Sequence, residues 1–522
     1  MDLYGDTFLG IELGSTRIKA VLIGRDYTPI AQGFHEWKNR HENGFWTYSL
    51  DDIHGGVKAC FASLARDYKE KFSQPLRRVG AIGISAMMHG YMAFNESGKL
   101  LVPFRTWRNT TTERASFELT KLLSFNIPQR WSIAHLYEAV LNMEKHVSEI
   151  SYITTLAVYI NYLLTGKLVA GIGEASGMFP IDKYGYDAEM MKKADERLSS
   201  LGFTKKLSDV LPAVMLAGES GCTLTAEGAA FLDESGELEA GIPVCPPEGD
   251  AGTGMVASNA VRVNTGNVSA GTSIFSMPVL SKPLSAVYPE IDIVTTPDGA
   301  PVAMVHCNNC CCELDAWVKV FGEFAELIGK PMDKSELYSL LYRNALSANA
   351  SKSKVCAYNF LSGEPVAKVD GGRPMYFRTA ESELSLSSFF KAQLMTSLAS
   401  LKLGMDILTE KEHIKTEKFT AHGGLFKVKG VAQQLLANAL GTDVTVTETA
   451  GEGGAWGMAL LAAYMVRGNG QPLADWLDAE VFSNVDSSTL SPEPDGAAEF
   501  NGYMRLFEAG LTAQRTFNRT EE

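Results

Sequence analysis

Near the amino end an apolar run, Thr7-Phe8-Leu9-Gly10-Ile11-Glu12-Leu13, enters the polar turn Gly14-Ser15-Thr16, and a second run, Ile18-Lys19-Ala20-Val21-Leu22-Ile23, leaves it. Apolar residues on both sides of so short a Gly-Ser-Thr tip predict a β-hairpin. Half a chain later the pattern returns. Asn267-Val268-Ser269-Ala270 leads into Gly271-Thr272-Ser273, and Ile274-Phe275-Ser276-Met277-Pro278-Val279 leads out. Two hairpins of one style suggest an old duplication, with one such loop in each half. Between them, Arg78-Val79-Gly80-Ala81-Ile82-Gly83-Ile84-Ser85 suits a buried strand. Thr154 to Leu164 reads as a helix closed by Gly166. Leu314, Trp317, Val318, Phe321, Phe324 and Ile328 recur at helical spacing and predict one apolar face. Gly453 to Tyr464 is a helix of small residues, and Phe500 to Leu511 a C-terminal amphipathic helix. Pro283 to Gly299 and Ser483 to Gly496 read as loops.

A chain of 522 residues exceeds what one hydrophobic core serves, so two domains are expected, 1–260 and 261–522, with the boundary between Ala257 and Asn264. With 45% hydrophobic and 21% charged residues the composition is that of an ordinary soluble globular protein. The net charge of -14 argues against nucleic acid or an anionic membrane surface as the main partner. No basic segment precedes the first apolar run, so no secretory signal is expected, and no apolar run is long enough to span a bilayer. Eight cysteines, three of them adjacent at Cys310-Cys311-Cys312, suit a reducing cytoplasm better than a disulfide scaffold.

A turn of Gly with Ser or Thr exposes consecutive backbone N–H groups and hydroxyls, a concave donor site for phosphate oxygens. At the first tip Gly14, Ser15 and Thr16 would face phosphate, Lys19 would add positive charge, and Glu12 would help hold a hydrated Mg²⁺. Singly, such a turn is equally at home in any hairpin. Asp250 stands in Pro246-Pro247-Glu248-Gly249-Asp250-Ala251-Gly252-Thr253-Gly254, after the apolar run ending at Val244. Its carboxylate could accept the proton of a hydroxyl attacking a γ-phosphate, or simply cap the next helix; these residues alone leave both open. Ser85-Ala86-Met87-Met88-His89-Gly90-Tyr91 and Thr106-Trp107-Arg108-Asn109 bring a His, an Asn and aromatic rings that suit a polyhydroxylated ligand, although a His after a strand is often structural. Cys307 and Cys310 have zinc-knuckle spacing, but no second pair stands at a plausible distance, so structural zinc is rejected. Neither a Walker-type phosphate loop nor a nucleophile elbow is present.

In this order the segments resemble the FGGY carbohydrate kinase family of the actin-like ATPase superfamily, xylulose kinases in particular. Gly10 to Lys19 is similar to the family's first phosphate motif, and Ser85 to Gly90 to its sugar-binding stretch. Glu248-Gly249-Asp250 resembles the Gly-Gly-Asp bearing the catalytic base, and Ser269 to Ser273 the second phosphate motif. His422-Gly423-Gly424 with Gln433 resembles the adenosine motif, and Glu452-Gly453-Gly454-Ala455-Trp456-Gly457 the closing glycine signature.

The resemblance implies an α/β fold of two ribonuclease H-like domains with an interdomain cleft, holding ATP and Mg²⁺. It implies phosphorylation of an open-chain sugar such as D-xylulose; ribulose, a deoxyketohexose or glycerol are the alternatives. By motif Asp250 is the base and also, with Glu12, faces the metal; Met88, His89, Trp107 and Asn109 contact sugar. Gly14, Ser15, Thr16, Lys19, Gly271 and Thr272 meet phosphates, and Gly423, Gly424 and Lys427 the rest of the nucleotide. Glu12 stands where the family has Asp, Asn109 where xylulose kinases have Asp, and Val428 where Ser or Asn is common. A homodimer is the assembly the resemblance implies. A non-catalytic actin-like ATP-binding module and a filament-forming ATPase are the readings from other classes; Asp250, His89 and Trp107 together speak against the first.

Overall fold

The first apolar run is β1 (Phe8–Leu13) and its return β2 (Arg17–Ile23), antiparallel, with Leu13 opposite Ile18 and Glu12 opposite Lys19. Gly14 N–H donates to the Arg17 carbonyl at 3.0 Å and closes the turn. This computed structural model describes residues 4–447 and 453–518. β3 (Pro29–Glu36) continues the meander, and α1 (Leu50–Phe72) packs across it. There follow β4 (Ala81–Ala86), α2 (Leu156–Thr165), β5 (Cys222–Thr223), β6 (Pro243–Val244), β7 (Glu248–Gly249) and α3 (Asp250–Ala257). α2 ends at Gly166, whose φ of 68° lets the chain turn out of the helix.

The later residues form β8 (Thr265–Ala270), β9 (Ile274–Pro278), β10 (Pro301–Cys307), α4 (Cys312–Leu327), α5 (Leu386–Asp406), β11 (Lys418–His422), α6 (Val431–Leu440) and β12 (Asp443–Thr447). α7 (Gly453–Arg467), β13 (Ser487–Leu490) and α8 (Pro494–Asn518) complete the chain. They gather into two compact units, each assembled from separate stretches. The first is Met1–Val261, Asp292–Val302 and Glu452–Asn484; the second is Arg262–Ile291, Ala303–Gly451 and Val485–Glu522. α7 thus belongs to the first unit.

One topology serves both units. In the first, strands run β5-β6-β4-β1-β2-β3; β1 pairs antiparallel with β2 and parallel with β4, and β7 also pairs with β4. In the second they run β10-β9-β8-β11-β12-β13; β8 pairs antiparallel with β9 and parallel with β11. Each unit therefore has a three-strand antiparallel meander joined through its first strand to parallel neighbours, and the duplicated hairpins occupy equivalent places. This is the two-domain actin-like ATPase architecture. β1 is central and covered on both faces, which is why its sequence reads as a nearly unbroken apolar run. One covering is α7: a Cβ on Gly10 would lie 2.1 Å from the Ala455 carbonyl oxygen and 2.5 Å from Ala459 N, so only glycine admits the helix so closely. Among the described residues no helix is long and apolar enough to cross a membrane.

Two expectations need correction. The apolar face of α4 is narrower than its spacing suggested: Leu314, Val318 and Ala325 are buried, whereas Phe324 is 57% and Ile328 55% exposed. At 3.6 residues per turn Phe324 lies roughly 100° round the helix from the buried seam, and Ile328 stands just past the last helical residue, Leu327. The two stretches read as loops also contain strands, Asp292–Thr295 and β13. β13, Ser-Ser-Thr-Leu, is polar but for its last residue and carries no alternation to reveal it; it is made by its register with β12 and by a Thr445–Thr489 hydroxyl contact of 2.8 Å.

The first unit also buries His135 completely, with neither ring nitrogen meeting a partner among the described residues. Burial, reinforced by the Arg105 guanidinium, lowers its pKa to about 3. The folded value lies below the unfolded one, so this stabilisation is full above about pH 6.5 and fades as pH falls. At pH 5 the loss is expected to reach about 2 kcal/mol. Urea midpoints at pH 7.5 and 5 should therefore differ less in His135→Leu than in the unsubstituted chain; an equal difference would contradict this origin.

Candidate active site

At the first hairpin tip Ser15 is partly and Thr16 well exposed. The Ser15 hydroxyl accepts a hydrogen bond from the Trp107 indole N–H at 3.1 Å, so a ring predicted to face sugar is tied to the predicted phosphate loop. Lys19 sits across the hairpin from Glu12, with β4 residue Ser85 on the other side.

Asp250 opens α3 directly from β7, and Gly249 occupies the N-cap position. Its carboxylate reaches sideways rather than capping alone: the Met88 N–H donates to Oδ1 at 3.1 Å, which joins the Asp250 and Met88-His89 segments into one site. Burial raises its affinity for a proton, against the pull of the Met88 and Ala251 amides. Glu12 is pushed up to about 7, first by burial and then by the Asp250 charge; the Ala455 amide and Lys19 act the other way. Glu12 Oε2 accepts the Ala455 N–H at 3.1 Å, and a Cβ on Gly454 would fall 2.3 Å from Oε1. The longer side chain of Glu, where the related motif has Asp, reaches the head of α7. Glu452, which opens the glycine signature, lies outside the described residues.

Behind Asp250 lie two carboxyls whose importance the sequence did not reveal. Glu248 accepts the Gly173 and Glu174 N–H groups at 3.3 and 2.9 Å, and burial pushes it up to about 8. Glu174 is fully buried and raised well above the ordinary carboxyl range by the same cause. Burial holds both toward the protonated form, and Glu248 braces the turn before Asp250 through the Gly173 and Glu174 amides. A Glu replacing Gly in a Gly-Gly-Asp motif was the one available signal.

His89 is buried with φ of 71°, left-handed for a residue with a side chain, and stacks on Trp131 with centroids 6.3 Å apart. Its Nδ1 lies 3.3 Å from the Gly177 carbonyl, and a Cβ on Gly177 would approach Nδ1 to 2.5 Å. The ring is therefore fixed next to Met88, whose backbone amide holds Asp250. Asn109 differs from the other predicted sugar residues. It is 2% exposed; its Nδ2 donates to the carbonyls of Trp46 and Thr106, both at 2.9 Å, and its Oδ1 accepts the Trp46 N–H at 2.8 Å. Both amide donors are committed to backbone, and the residue anchors the Phe45–Thr47 strand.

In the second unit Gly271 N–H donates to the Ser273 carbonyl at 2.9 Å, and the Thr272 and Gly271 carbonyls accept the Cys310 and Cys311 N–H groups at 3.0 and 3.1 Å. The cysteine segment braces the second tip, and among the described residues no group of three His, Cys, Asp or Glu could hold a metal ion. Gly423 packs on the end of β8, and a cavity of about 970 Å³ opens beside it, lined among others by His422, Gly424, Lys427, Gln433, Val446 and Asp486. Gln433 donates to the Val444 and Ser488 carbonyls at 2.9 and 2.7 Å, pinning that wall.

The model of the N-terminal domain of the FGGY family of carbohydrate kinases matches residues 7–257, and that of its C-terminal domain residues 266–466. A xylulose kinase of Haemophilus influenzae is 22% identical over 449 residues, 83% of this chain and 84% of that one. Among solved structures, a xylulose kinase from Brucella ovis superposes with a TM-score of 0.77 at 18% identity, over 98% of this chain and 100% of that one. A ligand-bound xylulose kinase from Lactobacillus acidophilus has a TM-score of 0.77 at 17% identity, over 98% and 99%. The structural likenesses establish the fold, and the two domain matches, covering most of the chain in the order of the two hairpins, establish more: the protein belongs to the FGGY family of carbohydrate kinases, enzymes that move a phosphoryl group from ATP to a sugar.

Proposed function

We propose that this kinase phosphorylates a hydroxyl of an open-chain ketopentose, D-xylulose foremost, with Asp250 as the base. The observation that carries the reading is the Asp250 carboxylate, anchored through one oxygen by the Met88 N–H beside the fixed ring of His89. A carboxylate has lone pairs to spare beyond that bond for the sugar hydroxyl, and burial gives it the proton affinity an acceptor needs. Met88, His89 and Trp107 form the proposed sugar wall, from which Asn109 is omitted because its amide is committed elsewhere.

The phosphate contacts are assigned to the Gly14-Ser15-Thr16 tip with Lys19 and to Gly271 and Thr272. The adenosine is assigned to the cavity at Gly423, Gly424 and Lys427. Glu12 and Asp250, two carboxylates close enough for the Asp250 charge to raise Glu12, fit a divalent cation better than they fit each other. With no third protein ligand among the described residues, such an ion would keep waters and phosphate oxygens in its shell, as Mg²⁺ does. When bound, Mg²⁺ would neutralise phosphate charge during transfer. The chain's own contribution is to orient the hydroxyl, take its proton at Asp250, and present preorganised donors to the phosphoryl oxygens.

The name of the curated relative supports xylulose over other ketoses. An ADP-release screen is expected to give kcat/KM for D-xylulose at least ~10-fold above D-ribulose or glycerol, the discrimination expected when buried polar groups lose a partner. Preference for another sugar would reassign the substrate, and no response to any ketose or polyol would defeat the reading.

A further inference from the structure

The geometry points to Trp37 and Tyr48 as positioning residues that aim the backbone donors of the first tip at the transferred phosphate. This rests on reading that tip as a phosphate site. Every carbonyl of Gly14-Ser15-Thr16 is claimed by one of these two residues. The Trp37 indole N–H donates to Gly14 O at 2.7 Å, and the Tyr48 hydroxyl to Ser15 O at 2.5 Å. The Trp37 backbone N–H donates to Thr16 O at 3.2 Å. The two rings stack with centroids 4.2 Å apart and a 27° tilt, and at 7% and 1% exposure neither is free to swing away. Burial pushes the Tyr48 phenol up to about 12, so it remains a donor throughout the working range.

A peptide is planar, and across a trans bond its N–H points opposite to its C=O. Pinning the Gly14 carbonyl inward therefore turns the Ser15 N–H outward, and pinning the Ser15 carbonyl does the same for the Thr16 N–H. Two successive outward amides make the anion-binding concavity that a tip of glycine and hydroxyl residues would only sample if left unsupported. The Ser15 hydroxyl is oriented in the same manner. Because its oxygen accepts from Trp107, its proton is directed away from that ring. Donors held in place before the reaction need no reorganisation during it, which is where electrostatic stabilisation of a phosphoryl group is most effective.

The test uses the full chain with Tyr48→Phe, which removes one donor and keeps the stacked ring, and Trp37→Phe as a second variant. ATP and adenosine binding are measured by titration calorimetry, together with kcat, the KM for sugar and the thermal midpoint. For each variant, ATP affinity and kcat are expected to fall ~10-fold, the scale of one lost hydrogen bond to a charged group. Adenosine affinity and the KM for sugar should stay within twofold and the midpoint within a few degrees. A Tyr48→Phe chain that binds ATP and turns over as the unsubstituted chain does would overturn the assignment. Equal weakening of ATP and adenosine would do so too, since that marks general damage. An unsubstituted chain that binds ATP no better than adenosine would instead refute the phosphate site itself.

Discussion

Asp250→Asn is expected to leave a folded protein that keeps most of its ATP affinity yet phosphorylates sugar about 10³-fold more slowly, near the middle of the range for loss of a general base. Asn keeps the shape of Asp and an oxygen for the Met88 N–H, so the loop that carries His89 stays in place. What disappears is the basic oxygen. Burial already disfavours the charged carboxylate, so neutralising it relieves strain and the thermal midpoint should hold or rise. Single-turnover kinetics with saturating ATP separate this from a binding defect, because only the transfer step should slow. Full activity in the variant would remove Asp250 from the chemistry, and with it the proposed mechanism.

Gly423→Ala is expected to weaken ATP binding at least ~100-fold while sugar binding stays unchanged. Two independent costs meet at this position. Its φ of 109° with ψ of 179° is open to glycine alone, and a Cβ there would come within 2.1 Å of the Ala270 carbonyl oxygen. The clash is with the backbone of β8, which cannot step aside as a flexible side chain would. A strained backbone costs on the order of 1–3 kcal/mol, before the overlap is counted. The neighbouring Gly424 has no protein atom near its virtual Cβ, so Gly424→Ala should spare folding. Calorimetric titration with ATP, paired with sugar binding as the internal control, distinguishes a local effect from collapse of the unit. Gly423→Ala binding ATP as tightly as the unsubstituted chain would show that the nucleotide lies elsewhere.

The site was unevenly legible. Asp250 and His89 stood out only through the order of their motifs, since by residue type alone an Asp there could cap a helix and a His after a strand is often structural. Asn109 looked equally chemical, yet its amide closes on the backbone of Trp46. Hydrogen-bond capacity is visible in a residue type, but its commitment depends on a strand arriving from 63 positions away. Trp37 and Tyr48 belong to no motif in the sequence, and they pack as buried aromatics. Their polar ends gain a role only because the chain folds the hairpin tip over them.

Local order along the chain determined the hairpins, the Gly166 helix stop and the buried β4, since turn chemistry and apolar patterning act over a few residues and need no distant partner. Tertiary structure decided which stretches share a unit, that the mostly polar β13 is a strand, and how α7 meets β1 across Gly10. It also raised the proton affinity of Glu12, Glu174 and Glu248, because a carboxyl's hold on its proton is set largely by how much water the rest of the chain removes from around it.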